Sequence, residues 1–195
     1  TDTIVGVARR EFAFVDLDGN RYVAIGTDKF LLIYFEGQLY DITPLKTTLT
    51  SATLATTDTS AICSITTGTN HNLSVGDIVL LDTVTLPVGT GYVDADFENK
   101  LFQVTSITSA TVFTITQSTA ATATVGTGGS LSVKPYEQVG PAEQSYGYGW
   151  GIDTWSSGKW GEAASASDVS LEPGLWSLSN FGQVLVATIA NGKTF

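Results

Sequence analysis

Phe12-Ala13-Phe14-Val15-Asp16-Leu17-Asp18-Gly19-Asn20-Arg21-Tyr22-Val23-Ala24-Ile25 decides the fold class. A strand pattern from Phe12 to Leu17 runs into Asp18-Gly19-Asn20, a tight-turn signal, and strand formers resume at once from Arg21 to Ile25. Working outward, Phe30 to Phe35 is a nearly continuous apolar run, as expected of a strand covered on both faces. Glu36-Gly37 turns it into Gln38 to Ile42, and Thr43-Pro44 closes the unit, because proline cannot donate to a ladder. The expectation is a meander of four short strands with tight turns, the size and shape of one propeller blade.

Beyond Pro44 the texture changes. Lys46 to Thr59, rich in Thr, Ser and Ala, reads as a linker plus an edge strand. Five short strands are expected after it: Ala61 to Thr66, Asp77 to Asp82, Lys100 to Ile107, Thr111 to Thr116 and Ser130 to Val133. Ser109-Ala110 reads as a hairpin turn and Gly126-Thr127-Gly128-Gly129 as another. Strands at that spacing form a small barrel or sandwich of their own. Leu175 to Leu178 and Gln183 to Ile189 then resume the meander around Asn180-Phe181-Gly182. Ala187-Thr188-Ile189-Ala190-Asn191-Gly192-Lys193 echoes Val23-Ala24-Ile25-Gly26-Thr27-Asp28-Lys29, the kind of self-similarity that marks an array. Helix signals are nearly absent; the best, Glu162 to Asp168, is short and Ser-rich.

The fold class expected is therefore all-β: a partial propeller-like meander body with an inserted small barrel or sandwich. The boundaries follow: residues 1–45 as the first part of the meander, 46–138 as the insert, and 139–195 as the second part with an aromatic-glycine loop. A chain of 195 residues is long enough for a real core. Its 43% hydrophobic and 14% charged residues mark an ordered chain, since disorder needs the opposite balance. Thr and Val, stiff at Cβ, favour the pleated sheet.

Charge narrows the function. There are 9 basic and 19 acidic side chains, a net −10, and division at residues 44 and 135 gives −3, −3 and −4. No segment offers the clustered Lys and Arg that grip phosphates, so tight binding of nucleic acid is not expected. No apolar run is long enough for a membrane helix, and no signal peptide is visible. The lack of an initiator Met, and an end at Phe195 just where a strand is expected to begin, suggest a piece of something longer.

Little in the chain suggests chemistry. Cys63, between Ile62 and Ile65, is expected to be a small buried residue without a disulfide partner. His71, the single histidine, is expected to be a hydrogen-bonded turn residue rather than a base held by an acid. Asp94, Asp96 and Glu98 alternate, which on a strand places them on one face, where calcium with carbonyl help is conceivable. Asp16-Leu17-Asp18-Gly19-Asn20 mimics the start of a calcium loop, but the distal Glu is missing and a hairpin explains it. Neither enzyme activity nor a metal or other cofactor is expected.

Several stretches resemble known proteins. Tyr22-Val23-Ala24-Ile25-Gly26-Thr27, Leu39-Tyr40-Asp41-Ile42-Thr43-Pro44, Gly149-Trp150-Gly151, Trp155, Trp160-Gly161 and Trp176-Ser177-Leu178-Ser179-Asn180-Phe181-Gly182 resemble blades of bacteriophage tail proteins of the nozzle or tail-tubular type. Asn70-His71-Asn72-Leu73-Ser74-Val75-Gly76-Asp77, Phe102-Gln103-Val104-Thr105 and Phe113-Thr114-Ile115-Thr116 resemble the small β-domain first named in ubiquitin-activating enzymes. Phage virion proteins carry that domain as an insertion, without ubiquitin chemistry.

The resemblance implies a structural virion protein of the phage tail, part of a nozzle or hub through which DNA passes. Its implied partners are further copies in a homo-oligomeric ring, and other tail or portal and adaptor proteins. Tyr146, Tyr148, Trp150, Trp155 and Trp160, interleaved with glycines, are expected to form a subunit contact, because exposed aromatic area marks interaction sites. The alternative for the same loop is a carbohydrate- or receptor-binding, adhesin-like tail accessory.

Overall fold

In the computed structural model, residues 6–140, 173–189 and 193–195 are described. The chain divides into two compact units, Pro44–Glu137 and the flanking Thr1–Thr43 with Gln138–Phe195. The described residues are almost entirely β.

In the flanking unit, β1 (Ala8–Val15), β2 (Arg21–Thr27), β3 (Leu31–Phe35) and β4 (Gln38–Asp41) form an open four-stranded antiparallel sheet in chain order. The first turn is set by Asp16. Its carboxylate accepts the backbone N–H of Asp18 at 2.9 Å and of Asn20 at 2.8 Å, and the Asn20 side chain at 2.8 Å. β1 begins earlier than the sequence suggests, at Ala8. The expectation that Phe30 to Phe35 is covered on both faces holds only at its start. Leu31 and Leu32 are buried, whereas Tyr34 is 44% exposed.

The meander resumes with β11 (Trp176–Phe181) and β12 (Val184–Ile189), a two-stranded antiparallel pair joined at Gly182-Gln183. The last residues add to it: Ala187 N–H donates to Phe195 O at 3.0 Å and Phe195 N–H to Ala187 O at 2.8 Å. A shared core joins this pair to the first sheet, built from Phe14, Ala24, Leu31, Val139, Trp176, Leu178, Ala187 and Ile189.

The handedness of that packing can be read from the backbone. In an antiparallel ladder each residue turns its N–H and C=O to one side, and for L-residues that side fixes the face its side chain leaves from. Thr27 donates to Phe30 O at 2.8 Å, toward β3. Ile25 and Val23 share its face by the two-residue period. Ala187, and Ile189 with its bond to Lys193 O at 3.3 Å, likewise turn toward their third strand. They therefore occupy the face of their meander that Val23, Ile25 and Thr27 occupy in theirs, here termed the back face. The sequence echo, which pairs Ala187 with Val23 and Ile189 with Ile25, is in phase with this. The back face of the second meander covers the opposite, front face of the first, which carries Phe14, Ala24 and Leu31. The stacking is head to tail.

Residues 44–137 form a closed antiparallel barrel: β5 (Leu49–Thr56), β6 (Ile62–Thr66), β7 (Ile78–Thr85), β8 (Lys100–Ser109), β9 (Val112–Thr116) and β10 (Val125–Pro135), in the order β10-β5-β6-β9-β8-β7. Closure removes the edges that an open sheet must protect. Inward residues at period two, among them Leu54, Ile65, Val79, Leu81, Val104, Phe113, Ile115, Leu131 and Val133, fill its interior. Two sequence expectations fail here. Lys46 to Thr59 is not a linker with an edge strand, because β5 pairs with β6 on one side and β10 on the other. Nor is Gly126-Thr127-Gly128-Gly129 a turn. It lies within β10, whose register shifts let one strand pair with both β5 and β7. Gly129 is required there: it has φ +69°, and a Cβ would meet Thr85 O at 2.2 Å. The barrel is tied at its own neck by a bridge between Leu45 and Tyr136. Lys46 N–H donates to Pro135 O and Glu137 N–H to Pro44 O, both at 2.8 Å.

A fragment spanning residues 44–137 should consequently fold alone and unfold in one cooperative transition, monitored by circular dichroism during denaturation. A broad, non-cooperative melt would show that the neck and barrel core are not self-sufficient.

Candidate functional site

The five aromatic residues expected to form a subunit contact, Tyr146, Tyr148, Trp150, Trp155 and Trp160, lie outside the described residues. The aromatic residue that the structure makes central is Trp176. It is 2% exposed, and its indole N–H donates to Thr27 O at 3.2 Å, across the seam between the two meanders. Beneath the ring is Gly26, where a Cβ would lie 2.6 Å from Trp176 Cδ1. No side chain but hydrogen fits, so the glycine in the middle of β2 is a seat rather than a weak point. Arg9 donates from Nη1 to Gly174 O at 2.7 Å, holding the approach to β11. Sequence reading placed Trp176 in a repeated pattern without seeing its role. A glycine inside an otherwise strong strand was the available signal.

The residues considered for chemistry are each engaged in structure. His71 is buried, with Nδ1 accepting Leu73 N–H at 3.0 Å and Nε2 on Ser109 O at 3.0 Å. Because Nδ1 accepts, the proton sits on Nε2, and neither nitrogen is left to act on Cys63. Its ring meets Phe113 edge-on at 5.4 Å. Cys63 is fully buried, and that burial pushes its thiol pKa up, away from the reactive thiolate.

Asp94, Asp96 and Glu98 are not on a strand; Asp94–Asp96 form a short 3-10 helix. Asp94 accepts Leu86 N–H at 2.8 Å, Asp96 accepts Val93 N–H at 2.9 Å, and Glu98 accepts Val84 N–H at 2.6 Å. A shallow depression of about 460 Å³ lies over Thr83, Val84, Thr85, Asp94, Ala95 and Glu98. Its carboxylates are spent on backbone donors that the loop would otherwise leave unpaired. Asp16 is similar: hydrogen bonding from Asn20 holds its carboxyl below the usual range, which suits a turn anchor. Among the described residues, no group of three His, Cys, Asp or Glu is placed to hold a metal ion. No described helix is long and apolar enough to cross a membrane.

What the arrangement does offer is surface. On the back face of the first sheet, Val15 on β1 is 52% and Tyr34 on β3 44% exposed, Val23, Ile25 and Leu39 are half-buried, and Thr27, Phe30 and Leu32 are buried. On the front face of the second meander, Phe181 is 83% and Val184 63% exposed. Compared with known protein families, curated proteins and solved structures, the chain has no match.

Trp176→Ala should lower the stability of the flanking unit by about 3–5 kcal/mol, and Gly26→Ala by about 1–3 kcal/mol through overpacking. Gly68→Ala, where a Cβ meets nothing within 4 Å, is the neutral control. Hydrogen exchange under mild denaturant reads the two units separately, and unchanged protection of β1 and β2 in Trp176→Ala would contradict the seam. In the barrel, burial and the neighbouring Cys63 push the Tyr92 phenol up to about 12 from 10.0. Its hydroxyl donates to Thr119 O at 2.7 Å, which a phenolate cannot do. A raised folded pKa means stability is full below pH 10 and lost as pH rises toward 12. Alkaline melting of the barrel should therefore be shallower in Tyr92→Phe than in the native chain.

Proposed function

We propose that the chain is a non-enzymatic structural component of a phage virion, part of the tail nozzle or hub through which DNA passes. The observation that carries this reading is the head-to-tail stacking of two meanders, interrupted by a barrel that closes on itself. Successive meanders stacked in that sense are how propeller blades follow one another. The first sheet, β1-β2-β3-β4, is taken as one blade and β11–β12 with the final residues as the start of the next. A self-closed insert tied at its neck can be carried there without opening the host sheet. The resemblance of the blade and insert sequences to phage tail proteins supports the same reading from sequence.

The role is mechanical. Packed β-modules form a wall, copies assemble in a ring, and other tail, portal or adaptor proteins attach to it. The acidic balance of all three segments suits a surface past which DNA moves, since like charge discourages sticking. Tyr146, Tyr148, Trp150, Trp155 and Trp160 belong to this proposal as further contact residues.

Mass spectrometry of purified phage particles produced from the genome that encodes the chain should find it in fixed proportion to tail proteins. Recovery only from the soluble lysate would contradict a virion role. Duplex DNA at physiological salt should bind weakly or not at all. Micromolar affinity with a steep salt dependence would require a basic surface that the sequence lacks.

A further inference from the structure

We propose that Asp18, at the tip of the β1–β2 hairpin, is a site of covalent self-modification. Its side chain closes on the Gly19 nitrogen and reopens as isoaspartate, which releases the turn from its Asp16 anchor. Among the described residues, Asp18-Gly19 is the one place where an Asp or Asn precedes glycine. At every other such residue, a Cβ on the following position crowds the backbone nitrogen that must attack. Gly19 has φ +88°, and nothing lies within 4 Å of the place a Cβ would occupy, so a ring has room to form there. Asp18 itself is exposed, and among the described residues its carboxylate has no hydrogen bond or ion pair. The carboxylates of Asp28, Asp41, Asp82 and Asp94, by contrast, each accept a backbone N–H. The nitrogen is also the least restrained in the turn. Gly19 N–H donates to Asp16 O at 3.3 Å, whereas Asp18 N–H and Asn20 N–H reach the Asp16 carboxylate at 2.9 and 2.8 Å.

The chemistry needs only water. The Gly19 nitrogen gives up its proton and bonds to Asp18 Cγ, the bond from Cγ to its hydroxyl breaks, and hydroxide leaves with that proton as water. The resulting succinimide is opened by water at the former backbone carbonyl of residue 18, which breaks the bond between that carbon and the Gly19 nitrogen. The main chain now runs through Cβ and Cγ of residue 18, and the old carbonyl is a free carboxylate. One water is lost and one regained, so mass and charge are unchanged. The added main-chain carbon displaces Asn20 from Asp16, which holds both its backbone N–H and its side chain at 2.8 Å. The turn that sets the β1–β2 pairing is thereby loosened at its tip.

The test is the intact chain, kept folded at mildly acidic pH and body temperature and sampled over time. Peptide mapping with electron-transfer fragmentation separates isoaspartate from aspartate at equal mass. Isoaspartate should accumulate at residue 18 faster than at any other described aspartate. Asp18→Glu keeps the charge but would have to close a larger, slower-forming ring, and should lose the signal. In nuclear magnetic resonance spectra of the aged native chain, Asn20 should give a second amide resonance that exchanges with solvent faster than the first. Absence of isoaspartate at residue 18 in the folded chain, whether or not the urea-unfolded chain forms it, overturns the proposal, because the turn then protects the site. Isoaspartate at residue 18 with an equally protected Asn20 amide overturns the release of the turn.

Discussion

Trp176 lying on Gly26 is the constraint on which the flanking unit depends. The indole needs a floor without a Cβ, and its N–H needs an acceptor in a seam closed to water. Gly26 supplies the first and the adjacent Thr27 carbonyl the second. One contact therefore fixes which strand of the second meander meets the first and which of its faces turns inward. Leu178 follows at period two on β11, and Ala187 and Ile189 pair across from Leu178 and Trp176. A shift of one residue would turn all of them outward and leave Ser177 and Ser179 against the core.

The barrel depends on a different condition. It has no second layer to lean on and gains stability by closing, which β10 achieves by pairing with both β5 and β7. Polar groups forced into its loops are satisfied locally: the carboxylates of Asp94, Asp96 and Glu98 take backbone donors, and His71 bridges two backbone groups. These residue types in other settings perform chemistry. Here each holds a loop in place.

Much of the architecture was legible because it rests on local signals. The turn at Asp16 to Asn20, the meander through Asp41 and most barrel strands follow from alternation and turn residues within a few positions. What was missed depends on partners distant in sequence. Nothing local distinguishes Leu49 to Thr56 from an edge strand, since its Thr and Ala residues become central only when β10 arrives beside it. The glycines at 126, 128 and 129 look like a turn until the two-sided pairing of β10 demands a strand that can bulge. The alternating acids at 94, 96 and 98 imitate strand period, while the hydrogen bond from Asp96 N–H to Val93 O at 2.8 Å makes a tight helical turn. Trp176 and Gly26 are 150 residues apart, and no window joins them.

The head-to-tail seam is the central claim, because the blade reading extends it. Nuclear Overhauser contacts between the Trp176 indole ring and the Gly26 α-protons, in the intact chain, test it most directly. The account predicts strong contacts, upfield-shifted Gly26 α-protons under the ring, and an indole N–H slow to exchange. Random-coil Gly26 shifts, with a freely exchanging indole N–H and no contacts between the two residues, would contradict it.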